Sequence, residues 1–248
     1  MDPRFSARHK WDSWFWLVFW LYCFIVIMFG FRPPVEARFF SDGETVPATI
    51  ALQAHVWSFS AWMSLLGIQA FLAGTNRMEL HRFFGLAMLP LAAVMLSAAG
   101  FSEMESAQRS LALQDFGVGF RAVTFGMLIT FAVIVPFAWV KRKDPPAHKR
   151  LILLATASIM SGAHFRNWGA WWSQEWFDES FLSRLLFYYG GTMILASLGM
   201  AYDLISRKAL HPVYKIAVPV MLAWQVAVIM AYDSEWFPRW FGPIIEAY

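Results

Sequence analysis

SWFWLVFWLYCFIVIMFGFRPP occupies residues 13–34, with no charged side chain between Ser13 and Phe31. A helix of about 20 apolar residues is what crossing ~30 Å of hydrocarbon requires. Arg4, Arg8 and Lys10 precede the run, as in a secretory leader. The run is longer than a leader's apolar core, however, and no small-x-small cleavage site follows it. Arg32-Pro33-Pro34 closes it instead. The expected form is an uncleaved first membrane helix ending near Phe31.

Six further runs of the same kind follow, giving helices at about 13–31, 51–74, 83–101, 118–140, 150–166, 184–203 and 213–231. No linker between them is long enough to separate soluble domains. The sequence therefore predicts an all-α integral membrane bundle of seven transmembrane helices in one domain, residues 1–248. Composition agrees. Of 248 residues, 58% are hydrophobic and 15% charged, against roughly 25% charged in a soluble domain. The net charge of +3 does not point to nucleic acid, because the basic residues lie between apolar runs. Cys23 is the single cysteine, which excludes an intramolecular disulfide and any CxxC motif.

Charge sets the expected orientation. Segments 1–12, 75–82, 141–150 and 203–215 hold thirteen of the twenty Lys and Arg residues and five of the seventeen acids. Short loops rich in Lys and Arg stay on the cytoplasmic side. An odd number of crossings then gives a cytoplasmic N-terminus and a periplasmic C-terminus, in a bacterial inner membrane. Trp11, Trp14, Trp236 and Trp240 fit interfacial belts. The stretch NWGAWWSQEWFDES, residues 167–180, reads as an amphipathic helix in the outer headgroup layer. Alternatively, Trp168, Trp171, Trp172 and Trp176 form a docking surface for another membrane subunit.

Polar residues in apolar segments are the informative ones, because they are expensive there. His55, Phe59, Trp62, Leu66 and Gln69 share one face of the second helix, with Gln69 about 21 Å deeper than His55 at 1.5 Å per residue. That face reads as a packing seam or as the wall of a cofactor or quinone-sized site. His81, His148, His211 and Asp203 all fall near the cytoplasmic edge. Three imidazoles and a carboxylate form the ligand set of many divalent-metal sites. Their spacing gives no HxxxH or HExxH pair, and helix capping is the competing reading, with Asp144 before Pro145 and Pro146 as an N-cap. His55 and His164 lie near the outer level, where they are candidates for axial ligation of haem b. Arg121 is expected to pair with Asp115 or to snorkel. Gly85, Gly100, Gly190 and Gly191 read as sites of close helix packing. The nucleophile elbow, the Walker loop and the dinucleotide fingerprint are all missing.

These residues also compose a pattern. His55-x3-Phe59-x2-Trp62-x6-Gln69, Leu80-His81-Arg82-Phe83-Phe84-Gly85, Asp144-Pro145-x2-His148-Lys149-Arg150-Leu151-x-Leu153-Leu154-Ala155-Thr156, and Tyr202-Asp203-Leu204 with His211-Pro212 together resemble a broad bacterial family of uncharacterised multi-helix membrane proteins. The likeness spans roughly residues 25–215. It implies that His55, His81, His148, Asp203 and His211 form a shared framework, without naming an activity. Lys215 stands where that family usually has an aromatic, and the acidic, Trp-rich outer loops depart from it. A weaker likeness to cytochrome b-type membrane proteins lacks their paired intramembrane histidines. Three functions remain open: a haem- or metal-binding protein linked to quinone or lipid, a non-catalytic accessory subunit of a larger complex, and a metal-dependent membrane hydrolase acting on lipid.

Overall fold

Nine α-helices carry the described part of the chain in a computed structural model that describes residues 4–6, 8–40, 48–113, 117–169 and 180–248. They are α1 (Asp12–Phe39), α2 (Ile50–Gly74), α3 (Met78–Gly85), α4 (Met88–Leu113), α5 (Phe120–Val140), α6 (Pro145–Gly169), α7 (Phe181–Arg207), α8 (Pro212–Tyr232) and α9 (Trp236–Ala247). A short 3-10 turn, Lys141–Lys143, links α5 to α6. Four helix starts are capped by side chains: Thr49 Oγ1 accepts from Leu52 N (3.2 Å), Asp144 Oδ1 from Ala147 N (3.4 Å), Ser180 Oγ from Ser183 N (3.2 Å), and His211 Nδ1 from Val213 N (3.1 Å).

Among the described residues, six segments are long and apolar enough to cross a membrane: α1, α2, α3 with α4, α5, α7 and α8. Their large apolar side chains point outward. Val18, Phe29, Val133, Phe137, Ile216 and Val220 are all more than half exposed. Water would penalise so much apolar surface, whereas acyl chains accept it.

The 25 residues of α6 are long enough to span but are not among the six. Its place in the bundle explains its composition. It packs against α1, α5, α7 and α8, so its surface meets protein rather than lipid. Leu153, Leu154, Ala155, Thr156, Ala157 and Ser161 are fully buried. Small residues let the neighbours approach closely. Ser161 Oγ meets Thr192 Oγ1 at 2.5 Å, and Thr192 Oγ1 donates to Ala157 O at 3.0 Å. On α7, a side chain at Gly191 would strike the His164 ring, and one at Gly190 would meet Trp168 at 3.1 Å. Close packing thus accounts for Gly190 and Gly191. Gly85 faces Gln69 Nε2 at 3.3 Å, while nothing lies within 4 Å of a side chain at Gly100, so packing does not account for that glycine.

Three sequence boundaries need correction. The first helix does not end near Phe31 but runs through Pro33 and Pro34 to Phe39. The two prolines remove two donors, yet the Arg32–Glu36 ion pair at 2.7 Å bridges the turn they interrupt. The third run, expected at 83–101, is two helices that break at Leu86 and Ala87. The Pro90 ring excludes the Leu86 carbonyl from a regular helix. α4 then extends to Leu113, because its polar second half finds partners. Arg121 Nη1 binds Glu103 Oε1 at 2.5 Å, Arg121 Nη2 donates to Ser110 Oγ at 2.7 Å, and Gln108 Nε2 donates to Ile245 O at 3.3 Å. Arg121 is buried and does not snorkel; Asp115 lies outside the described residues. α9 has no counterpart among the seven expected runs. Phe237, Phe241 and Ile245 bury one of its faces, and Trp236, Trp240 and Ile244 stand exposed on another.

The four basic segments meet at one end of the bundle. Arg8 donates to Asn76 Oδ1 (2.5 Å) and Gly74 O (2.8 Å), which joins the N-terminal segment to the α2–α3 turn. Asp12 joins the same segment to α6 and α7 through Lys149 and Arg207. This end is called the basic end below.

Candidate functional site

A buried polar cluster occupies the basic end, built around two carboxylates. Arg150, in the first turns of α6, makes a two-pronged ion pair with Asp203 near the end of α7, and its Nη1 donates to Pro146 O at 2.6 Å. Arg150 and Asp203 are 3% and 1% exposed, so neither charge draws on water. Asp203 Oδ2 also accepts from His211 N at 3.3 Å, which ties α8 to the pair. Asp12 accepts from Lys149 Nζ (2.7 Å), Tyr202 Oη (2.6 Å), His9 N (2.8 Å) and Arg207 Nη2 (3.4 Å). Arg207 Nη1 donates in turn to Ser6 Oγ at 2.7 Å. Lys149, Arg150 and Arg207 thus gather around Asp12 and Asp203.

The N-terminal segment seals the cluster. The Phe5 ring lies edge-on to His211 at 4.7 Å and beneath the Arg150 guanidinium at 5.1 Å. Phe5 is buried. Sequence reasoning used this segment for its charge and for Trp11, not for Phe5. Asp12, an acid beside the first basic cluster, was the available signal for a partner.

From the cluster a groove of about 600 Å³ runs between α5, α6 and α8. Lys141, Asp144, His211 and Phe5 stand at its basic end, and Ile129, Val133, Met221 and Trp224 line its far part. Along α8, Pro212 to Trp224 covers about 18 Å at 1.5 Å per residue. Trp224 Nε1 donates to Gly126 O at 3.0 Å, so its ring bridges α8 to α5 at the far limit. The volume lies within the ~300–1,000 Å³ range of small-ligand sites.

The expected site residues are distributed as follows. Asp203 and His211 are together in the cluster. His81 and His148 lie elsewhere at the same end, within electrostatic reach of each other. His81 Nδ1 is bonded to Gln69 O (3.2 Å) and His148 Nδ1 to Ala138 O (2.8 Å). An Nδ1–H held by a carbonyl fixes the tautomer and leaves Nε2 as the basic nitrogen. No group of three or more His, Cys, Asp or Glu placed to hold a metal occurs among the described residues. Both Asp203 oxygens are engaged by Arg150, and His211 Nδ1 is engaged by its own helix. At the opposite end, His164 Nδ1 is bonded to Met160 O (2.8 Å) and Nε2 to Tyr22 Oη (2.9 Å). Neither ring nitrogen is left for iron in this arrangement. His55 lies against Phe59, with ring centroids 4.3 Å apart, and its buried Nδ1 has no protein partner. Trp168 is turned inward, its Nε1 donating to Phe187 O at 3.0 Å. Trp171, Trp172, Trp176 and most of the expected amphipathic helix lie outside the described residues.

No protein-family model matches the chain, nor does any curated protein or solved structure.

Burial, with the Arg150 guanidinium beside it, pushes the His211 imidazole down to about 4. The charged groups around it are Arg150 and Lys149 on α6, Asp203 on α7 and Asp144 before α6. An unfolded histidine titrates near 6.5, so between about pH 6.5 and 4 the folded chain binds fewer protons. The stability held by neutral His211 is full above about 6.5 and is lost as pH falls towards 4. Replacing His211→Asn keeps a capping acceptor and is expected to flatten this acid limb of the thermal midpoint in detergent; an unchanged limb would refute the assignment. Asp203→Ala strands a buried guanidinium and is expected to cost ~3–5 kcal/mol, whereas the double change Arg150→Met with Asp203→Leu costs much less. Denaturation monitored by tryptophan fluorescence compares the two.

Proposed function

We propose that this chain is a seven-crossing inner-membrane protein that binds a lipid-like amphipath with an anionic head. The groove between α5, α6 and α8 carries the proposal: an apolar channel with Lys141 and His211 at its basic end. The acyl or isoprenoid part lies along Val133, Ile216 and Met221. The head lies against Lys141 and His211, with the field of Arg150 behind them. Among the described residues no acid is ion-paired with Lys141, which leaves its ammonium available for the head.

α6 is the seventh crossing in this reading. Its length, its short link from α5 and its packing along both α5 and α7 support a full traverse. The gathering of the basic segments supports a cytoplasmic basic end. A second reading keeps a cofactor at His81 and His148, because each imidazole retains Nε2 with its tautomer fixed from behind. Two protein ligands leave open positions for exogenous groups, as catalytic metals require.

Orientation is tested with membrane-impermeant thiol reagents on intact cells. Cys23 is buried, so single cysteines introduced as Lys10→Cys and Tyr248→Cys report cleanly. Tyr248→Cys should be labelled and Lys10→Cys protected; the reverse pattern overturns the orientation. For the ligand, lipids extracted from the purified chain are identified by mass spectrometry. One anionic amphipath should be enriched over the bulk membrane, and Lys141→Ala should lower its occupancy at least threefold. An extract matching bulk lipid, or one indifferent to Lys141, argues against the groove. Stoichiometric zinc or iron in the same sample, lost in His148→Ala, would favour the cofactor reading.

A further inference from the structure

His55, Trp62 and Gln69 stand seven residues apart on α2. Seven residues bring a helix back to within about 20° of the same face and advance it about 10.5 Å. All three carry buried side-chain atoms with no protein partner: His55 Nδ1, Trp62 Nε1, and both Nε2 and Oε1 of Gln69. Trp62 is 0% and Gln69 7% exposed, so bulk water does not reach them. Thr156 on α6 adds a fourth residue, 0% exposed, with its Oγ1 also unpartnered. It lies eight residues, about 12 Å along α6, from His148.

A buried polar atom left bare is destabilising. Buried polar groups in folded proteins are satisfied by protein or by enclosed water. Here the atoms are not scattered; they recur at a fixed interval along about 21 Å of a membrane helix. The ends of the row are titratable. His81 sits at the Gln69 end, bonded to the Gln69 carbonyl, with His148 in electrostatic reach. His55 stands at the other end. The interior members, Gln69, Trp62 and Thr156, donate or accept hydrogen bonds without titrating.

We infer that this face of α2, together with Thr156 on α6, holds a file of bound water that conducts protons between the His81–His148 pair and His55. A proton taken up at a free Nε2 at the basic end passes along the file by hydrogen-bond exchange and leaves at His55. One proton enters and one leaves, so the N–H bond made at one histidine is matched by one broken at the other and the protein is unchanged overall. About three waters at hydrogen-bond spacing of ~2.8 Å bridge each ~10.5 Å interval. The inference is independent of the α5–α6–α8 groove, which has a different lining.

The test is proton flux. The purified full chain is reconstituted in phosphatidylcholine vesicles containing a trapped pH dye, and a potassium gradient with valinomycin supplies the driving potential. Flux at least tenfold above protein-free vesicles is expected. Gln69→Leu and Thr156→Val should each lower it at least fivefold. Wild-type flux at the protein-free level overturns the inference, and so does flux that falls less than fivefold in both variants. Thr156→Val preserves shape, so it decides the matter if Gln69→Leu fails to elute as a single species in detergent.

Discussion

The Arg150–Asp203 pair holds the bundle together at the point where three helices begin or end. In hydrocarbon a lone guanidinium or carboxylate is costly, so each group makes the other tolerable and neither can leave alone. That requirement fixes the start of α6 against the end of α7. Through the His211 amide it also fixes where α8 begins. The groove follows, because its basic end is framed by the residues this pair positions.

Enclosure of α6 is the second constraint. A helix surrounded by four others needs close neighbours more than it needs hydropathy. Alanine, serine and threonine replace leucine along it, and glycines on α7 receive its larger side chains, His164 and Trp168. Hydroxyl pairs such as Ser161 with Thr192 add direction to the contact. The least apolar of the long helices is for this reason the most deeply placed.

Most of the bundle was legible in the sequence because lipid imposes one pattern, an uninterrupted apolar run, that is read without knowing any tertiary contact. The helices whose surfaces meet lipid were found this way. Misreadings arose where protein contacts replace lipid contacts. The polar half of α4 was cut short because nothing local announces that Glu103 and Ser110 will meet Arg121. α9 was missed because its faces alternate Phe237, Phe241 and Ile245 with Trp236, Trp240 and Ile244, so no run develops. Position along a helix gives depth, which is why His81, His148 and His211 read as one level and His55 and His164 as another. Which of them converge depends on rotation and on neighbours. Asp203 and His211 come together and His81 and His148 lie apart from them, for reasons spread over four helices.

The Asp12 contacts also bear on assembly. Its partners Lys149, Tyr202 and Arg207 lie 137, 190 and 195 residues further along the chain. A ribosome delivers Asp12 into the membrane long before any of them exists. Until α6 and then α7 have been made, the Asp12 carboxylate has only the nearby His9 amide and none of these three partners. Closure of the N-terminal segment over the finished bundle is consequently a late event of biogenesis, and it marks a chain whose first residues are among the last to settle.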